Sequence, residues 1–216
     1  MDITILFSDS ELVVVNKPGG LLSVPGRGPE KLDSVATRLR TTFKEMIEQP
    51  SVHRLDMYTS GLMVFAMTKE SHRHLSNQFA TRKVNKTYYA ILEKKLEAEG
   101  GEIRLAFRLD PDNRPYQVYD PEQGKIGISS WKKLLTSPTT TTIEFTPLTG
   151  RTHQLRLHAA HPLGLNAPIV GDSLYGSGND GDQMLLHANQ LEFHHPTTGT
   201  KMSFTSPPPF EVPLFP

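Results

Sequence analysis

The sequence contains no cysteine among its 216 residues. Without a thiol, the chain can form no disulfide, thiolate nucleophile or cysteine-based metal site, so any catalytic chemistry falls to other side chains. A net charge is also absent, because 23 Lys and Arg residues balance 23 Asp and Glu residues. Bulk charge therefore does not mark a nucleic-acid-binding protein, and any basic surface must be local.

Long apolar runs are missing as well. No uninterrupted apolar span approaches the roughly 20 residues that a membrane helix needs. The chain opens with an acid rather than a basic segment, and the polar residues 8–11 interrupt its first apolar stretches, so we predict no targeting segment. We expect a soluble, cytoplasmic protein that does not bind a membrane. Its length and its 37% of hydrophobic residues suffice for one substantial core.

The order of apolar patterns predicts an α+β fold. Strand patterns occur at 3–7, 12–15, 62–66, 86–92, 103–106, 143–145, 185–193 and 202–204, and helical patterns at 33–47, 70–82 and 151–160. No repeat or low-complexity linker divides the chain. We therefore predict a single domain, residues 1–216, with a mixed, mostly antiparallel central sheet flanked by helices.

A polar motif, His-Arg-Leu-Asp at positions 53–56, precedes one of the apolar runs. One reading is a surface turn in which Arg54 and Asp56 neutralise each other, and exposed pairs of this kind contribute only about 0–1 kcal/mol. The other reading is a nucleophile at the mouth of a cleft, since a carboxylate attacks an electrophilic carbon without a base to activate it. The motif alone favours the surface turn, but a nearby cation would support the nucleophile.

Arg151 offers such a cation. It follows Gly150 at the start of the helix predicted for 151–160, where backbone N–H groups and a guanidinium suit an anion, including a carboxylate. The alternative is an ordinary amphipathic helix with Leu155 and Ala159 facing inward. That alternative does not explain an arginine at the positive end of a helix dipole, where it is mildly unfavourable.

Two adjacent tyrosines, Tyr88 and Tyr89, lie in the strand pattern KTYYAIL and therefore point to opposite faces. One of them can lie in the core while the other lines a cleft, where an aromatic ring stacks on a planar base. A tyrosine packed in the core with its hydroxyl hydrogen-bonded explains the residues equally well.

Three closely spaced histidines, His153, His158 and His161, raise the possibility of a metal site. A zinc-binding helix places two histidines four residues apart with an acid nearby, as in H-E-x-x-H. Here the spacings are five and three and no acid lies between, so we predict no metal site. A metal-dependent hydrolase built on these histidines is the alternative, which metal analysis of the purified protein would detect.

Five segments, taken together and in order, resemble the RluA-type branch of the pseudouridine synthases. They are NKPGGLLSVPGR (16–27), HRLDMYTSGLMVFAMTK (53–69), KTYYAIL (86–92), GRTHQLRLHAAHPLGLNAPIVGDSLYG (150–176) and LLHA (185–188). The resemblance spans nearly the whole chain and implies the α+β catalytic domain of that family. The small N-terminal S4-like RNA-binding domain of some relatives is not expected here.

The resemblance implies an isomerase that breaks the N-glycosidic bond of a uridine within RNA, rotates the uracil and rejoins it to the ribose through carbon. Asp56 would be the nucleophile, attacking either the ribose C1′ or the uracil ring. Arg151 would pair with Asp56, and Tyr88 would stack on the base and help to remove the C5 proton. The residues implied to bind substrate are Arg54, which fills the place of the extruded nucleotide, Asn113, Arg114, Leu186 and His187.

The resemblance also implies partners. Structured stem-loops of ribosomal or transfer RNA are the expected substrates, and no metal or organic cofactor is implied. We expect a monomer without an obligatory protein partner. The segment GKIGISSW (124–131) departs from the pattern of the relatives, so a particular RNA target is not transferred. A non-catalytic RNA-binding protein on the same scaffold is the second alternative, although such a protein has no use for a carboxylate close to phosphates.

Overall fold

The computed structural model describes residues 2–212. These residues form two compact units, 2–86 with 187–209 (unit 1) and 87–186 with 210–212 (unit 2). The ends of the predicted domain, residue 1 and residues 213–216, lie outside the described residues. The organisation as a single domain therefore stays a prediction, and each unit is described by itself.

The described chain contains ten strands and three α-helices. The strands are β1 (Thr4–Ser8), β2 (Leu12–Lys17), β3 (Ser60–Ala66), β4 (Asn85–Leu92), β5 (Gly100–Leu109), β6 (Gln117–Tyr119), β7 (Lys125–Thr136), β8 (Thr141–Pro147), β9 (Leu186–His194) and β10 (Lys201–Thr205). The helices are α1 (Val35–Thr42), α2 (Lys69–Ala80) and α3 (Gln154–Ala160). No helix within residues 2–212 is long and apolar enough to cross a membrane.

Unit 1 is built on two strands that are buried on both faces. β2 pairs antiparallel with β1 and β3, β3 pairs parallel with the start of β9, and β10 pairs antiparallel with β9. The continuous apolar runs of β2 and β3 match this double burial. Helix α2 packs on β3. The core consists of Leu12, Val14, Leu62, Val64, Ala66, Leu75, Val84, Leu191 and Phe193.

Unit 2 contains an entirely antiparallel set of strands in the order β4-β8-β7-β5-β6. Helix α3 packs against β5 and β7. Strand β7 was not predicted, because its buried positions are Gly127, Ser129 and Trp131, and small or polar residues give no alternating apolar pattern. The predicted α+β class with mixed, mostly antiparallel pairing is confirmed.

Two helices have N-caps with side-chain hydrogen bonds, and two predicted helix boundaries were wrong. Ser34 and Thr68 are the N-caps of α1 and α2, and each side chain accepts a hydrogen bond from the backbone three residues later. Helix α1 ends at Thr42 instead of residue 47, because the backbone becomes extended at Phe43. Helix α3 begins at Gln154 instead of Arg151, because His153 takes a left-handed conformation with φ of 56°.

Candidate active site

The segment that carries Asp56 is fixed in unit 1 by the residue that begins its motif. The backbone N–H of Val64 in β3 donates to His53 Nε2 over 3.1 Å, and the His53 ring stacks on Phe79 of α2 at 4.5 Å. Burial, and then the charge of Lys86, lower the pKa of His53 to about 3. The imidazole therefore stays neutral and keeps accepting this hydrogen bond at physiological pH.

The next residues alternate between the core and the surface. Leu55 is buried, and its backbone N–H and C=O both bond to the Ser23 hydroxyl, at 3.0 and 2.7 Å. Arg54 is exposed and Asp56 is half-buried. The turn that follows is closed by a hydrogen bond from Thr59 N to Asp56 O. The motif is therefore anchored on both sides of Arg54, which leaves that side chain at the surface.

Lys17 also belongs to this candidate site, although no sequence pattern predicted it. Its side chain is fully buried at the end of β2, and its ammonium donates to the carbonyl oxygens of Pro18, Leu21 and Met57 at 2.8–2.9 Å. Burial lowers the pKa of Lys17 to about 7, and the negative charge of Asp56 opposes that shift. A buried cation thus acts on Asp56 from within unit 1.

The glycine-rich segment after Lys17 supports the same turn through its backbone. Gly20 N donates to Met57 O over 2.9 Å. A Cβ at Gly19 would lie 3.2 Å from Tyr58 O, tighter than an ordinary contact. A side chain larger than hydrogen at this position would therefore push against the turn, which explains glycine here. Segment 17–23 and segment 55–59 pack as one structural element.

The end of the turn is joined to β9 by a buried chain of hydrogen bonds. His187 Nε2 lies 3.0 Å from the carbonyl oxygen of Ser206, so Nε2 carries the hydrogen, and Nδ1 accepts from the Ser60 hydroxyl at 2.8 Å. Burial lowers the pKa of His187 to about 4. Next to this pair, Gly61 has φ of 115° where β3 meets β9 at Ala188. These contacts connect His187 to the turn of Asp56, and its predicted contact with substrate stays a prediction.

Unit 2 contains the other two predicted catalytic residues. Tyr88 lies in β4 opposite Phe145 and is only 8% exposed, whereas Tyr89 faces the other side and is half-buried. Burial, and then the charge of Glu144, raise the pKa of Tyr89. Leu186, a predicted substrate-binding residue, is 2% exposed. The roles predicted for Tyr88 and Leu186 stay predictions.

Arg151 is exposed in a turn that a buried glutamine holds in place. Gln154 Oε1 accepts from the backbone N–H of Arg151 at 3.0 Å and from the Thr149 hydroxyl at 2.7 Å. Gln154 Nε2 donates to the β7 residues Ile128, through its carbonyl oxygen, and Ser129. This anchoring fixes the backbone at Arg151 and leaves its guanidinium to project from unit 2. The predicted pairing of Arg151 with Asp56, which belongs to unit 1, stays a prediction.

The predicted recognition residues Asn113 and Arg114 lie in a compact exposed loop between β5 and β6. Asp110 organises this loop, because its carboxylate accepts from the backbone N–H groups of Asp112 and Asn113 and from Asn113 Nδ2. These three hydrogen bonds lower the pKa of Asp110, and the one from the Asn113 side chain has the largest effect. The Arg114–Pro115 peptide bond is cis. Arg114 is exposed in this loop, whose backbone is held by the hydrogen bonds to Asp110.

The three histidines considered as metal ligands have separate surroundings. His153 contacts Tyr175, His161 Nδ1 accepts from the backbone of Leu163, and His158 is fully buried. Within residues 2–212, no group of three or more His, Asp or Glu side chains lies close enough to hold a metal ion.

Comparison with known proteins identifies the family. Residues 11–161 match the family model described as RNA pseudouridylate synthase. This range includes the motif with Asp56, the strand with Tyr88 and the turn with Arg151. The chain belongs to the RNA pseudouridylate synthase family, and it is an isomerase.

Individual relatives agree with this assignment. The chain is similar to the dual-specificity RNA pseudouridine synthase RluA of Pasteurella multocida, with 42% identity over 95% of this chain and 93% of the relative. It is 40% identical to the protein of that name from Escherichia coli strain K12, over 96% of this chain and 94% of the relative. Among solved structures, human RNA pseudouridylate synthase domain containing 1 has a TM-score of 0.76 at 27% identity, covering 97% of this chain and 85% of its own.

Proposed function

We propose that this chain converts specific uridines to pseudouridine in structured stem-loops of ribosomal RNA, transfer RNA or both. Relatives that share about 40% of their residues with nearly the whole chain carry the words dual-specificity in their names. The motifs that resemble the RluA-type branch favour stem-loops of these two RNA classes. The enzyme would act as a monomer in the cytoplasm, without a membrane, a metal or an organic cofactor.

The observation that carries the mechanism is the way unit 1 holds Asp56. Its turn is bonded to Ser23, Gly20 and the ammonium of Lys17, and the charge of Asp56 interacts with that of Lys17. A backbone held on both sides of Asp56, with a buried cation acting on its carboxylate, favours attack by that carboxylate on an electron-poor carbon. We assign Asp56 as the nucleophile, with attack at the ribose C1′ or at the uracil ring.

The isomerisation balances without a further reactant. The bond between uracil N1 and ribose C1′ breaks and a bond between C5 and C1′ forms, while the proton on C5 leaves and N1 gains one. No electrons are exchanged with a redox partner. Tyr88 would stack on the uracil and assist removal of the C5 proton, and Arg151 would pair with Asp56 and hold its geometry through the reaction.

Access to a uridine in a stem-loop requires that the base leaves its stack, which costs a few kcal/mol. Arg54 is exposed beside Asp56 and would occupy the space that the extruded nucleotide leaves. Asn113 and Arg114 lie in an exposed, ordered loop and would contact the RNA backbone or neighbouring bases. Leu186 would contact the uracil, and the bonds of His187 to Ser60 favour a contribution through the position of the turn.

The test is to map pseudouridine in total RNA from strains with and without this gene. We expect one or a few sites in ribosomal or transfer RNA to disappear on deletion and to return with the wild-type gene. The purified protein should form pseudouridine at the same sites in RNA from the deletion strain. If deletion changes no site and the purified protein modifies no RNA, the proposed function is wrong.

A further inference from the structure

One tyrosine hydroxyl in unit 2 connects two segments. The first is the loop of Asn113 and Arg114 between β5 and β6 (residues 110–116, the recognition loop), and the second is the turn that carries Arg151. The backbone N–H of Gln117 donates to Tyr175 Oη over 2.8 Å, and His153 Nδ1 lies 2.9 Å from the same oxygen. Gln117 directly follows the loop of Asn113 and Arg114, and His153 lies two residues after Arg151. The two segments are therefore bonded to the same oxygen atom.

The ring of Tyr175 is held from several directions. The Tyr116 ring meets it edge-on at 5.7 Å, and the Arg156 guanidinium lies 5.2 Å from its centroid. Arg156 itself forms two hydrogen bonds with the carboxylate of Asp172, at 2.8 and 2.6 Å, and both side chains are buried. Because such a paired guanidinium is rigid, it fixes the plane of the Tyr175 ring.

Both segments that meet at Tyr175 are held by further contacts or by an unusual backbone conformation. On the loop side, Asp110 bonds to Asn113, and Tyr116 N donates to the Asn113 carbonyl oxygen over 2.9 Å. On the other side, His153 has φ of 56°, a conformation that costs energy in a residue other than glycine and persists only when contacts hold it. The Tyr175 hydroxyl is one of the contacts that hold His153 there.

We propose that Tyr175 is a positioning residue that couples RNA contact at the recognition loop to the placement of Arg151. This inference rests on the proposed function. It predicts that a correct stem-loop raises the rate of the chemical step as well as the affinity, because loop contacts made by the right RNA bring Arg151 into position. Enzymes gain specificity in this way when substrate binding completes the catalytic arrangement.

The test is a double-mutant cycle of Arg114→Ala and Tyr175→Phe, with pseudouridine formation measured in single turnovers on one stem-loop RNA. In the wild-type background, we expect Arg114→Ala to lower the saturating rate by about tenfold, within the usual range of coupling between sites. In the Tyr175→Phe background, the same change should lower that rate by less than about twofold, because the connection is already cut. The loss of RNA affinity caused by Arg114→Ala should be equal in both backgrounds.

Tyr119→Phe provides the matched control, because Tyr119 is an exposed tyrosine of β6 in the same unit. In that background Arg114→Ala should keep its full effect on rate. If Tyr175→Phe unfolds at the assay temperature, His153→Asn cuts the same connection on its other side, and asparagine tolerates the left-handed conformation. Equal effects of Arg114→Ala on rate in all backgrounds would overturn the coupling. A wild-type protein that modifies no RNA would instead remove the proposed function.

Discussion

The buried ammonium of Lys17 donates a hydrogen bond to the carbonyl oxygen of Met57 at 2.9 Å, one residue after Asp56. Its other acceptors, Pro18 and Leu21, belong to the glycine-rich segment that packs behind the turn. One cation therefore ties two distant stretches of sequence together at the proposed nucleophile. A lysine is suited to this task because its three N–H groups satisfy three carbonyl oxygens at once.

We predict that Lys17→Met lowers activity far more than stability. The substitution removes three hydrogen bonds, but it also removes the cost of burying a charge, and these changes in the free energy of unfolding oppose each other. Stability at pH 7 should change by less than about 2 kcal/mol, whereas kcat should fall by at least about tenfold, or about 1.4 kcal/mol in the barrier. Urea unfolding and turnover assays measure the two effects, and Lys44→Met at an exposed lysine is the control. Equal losses of kcat in both variants would contradict a role for Lys17 at the turn.

Lys17 should also give the stability a distinctive dependence on pH. Its pKa is about 7 in the folded protein, against an ordinary lysine value of 10.5, so between these two pH values the unfolded state binds more protons. The free energy of unfolding should therefore rise with pH across this window. The rise is at most about 1.4 kcal/mol for each unit by which the two pKa values differ. Urea unfolding of the wild type and of Lys17→Met at pH 6.5, 8 and 9.5 tests this. A stability difference between the two proteins that does not vary with pH would refute it.

His158 should make the fold sensitive to acid. Both of its buried ring nitrogens lack a hydrogen-bond partner among residues 2–212, and burial lowers its pKa from 6.5 to about 4. The backbone of Gly127 partly opposes this lowering of the pKa, although it forms no hydrogen bond with the His158 ring. Between pH 6.5 and 4 the unfolded state binds more protons, so the free energy of unfolding falls as pH falls.

Two substitutions of His158 separate charge from hydrogen bonding. His158→Leu should be neutral or stabilising at pH 7, because it removes buried polar atoms, and it should retain about 1–3 kcal/mol more stability than the wild type at pH 4.5. His158→Gln cannot titrate but keeps polar atoms, so it should be less stable at pH 7 and equally resistant to acid. Thermal unfolding at the two pH values measures both. A wild type and a His158→Leu protein with the same acid dependence would show that His158 is not the cause.

Arg54 should act on the extrusion of the base and not on folding. Because its side chain is exposed while His53 and Leu55 anchor the backbone on both sides, Arg54→Ala should leave thermal stability unchanged. It should lower kcat/KM by about 10- to 100-fold, which corresponds to about 1.4–2.8 kcal/mol of lost transition-state stabilisation. This free energy is comparable to the cost of unstacking one base. A substrate with an unpaired, flexible uridine should recover much of this loss. Arg104→Ala, an exposed arginine in β5, is the control, and equal effects of both variants would rule out a specific role for Arg54.

The sequence predicted those parts of the fold in which burial produces an apolar pattern. β3 and α2 follow from the spacing of their apolar residues. β7 does not, because its inward positions include a glycine and a serine that bonds to Gln154. The start of α3 was predicted at the wrong residue, because the residues around His153 carry no sequence signal for its left-handed backbone conformation.

Sequence patterns point to candidate site residues whose chemistry is distinctive, and they do not point to residues whose role depends on packing. Asp56 and Arg151 are predicted from the sequence as a carboxylate before a strand and a cation at a helix start, and their catalytic roles stay predictions. Lys17 was not predicted, because its sequence context is that of a polar residue at the end of a strand. Its role becomes visible only in the structure, where its ammonium donates to three carbonyl oxygens. Tyr175 was missed because its partners are Gln117 and His153, which are far apart in sequence.

The measurement that bears most directly on the account is single-turnover pseudouridine formation by Asp56→Asn, which keeps the size of the side chain and removes its charge. The rate should fall by about 10⁴-fold or more, as loss of a single catalytic group does in other enzymes, while RNA binding and thermal stability stay close to wild type. Asp33→Asn, at an exposed aspartate paired with Arg38, should keep full activity. Pseudouridine formation by Asp56→Asn at a rate near that of the wild type would contradict the assignment of Asp56 as the nucleophile.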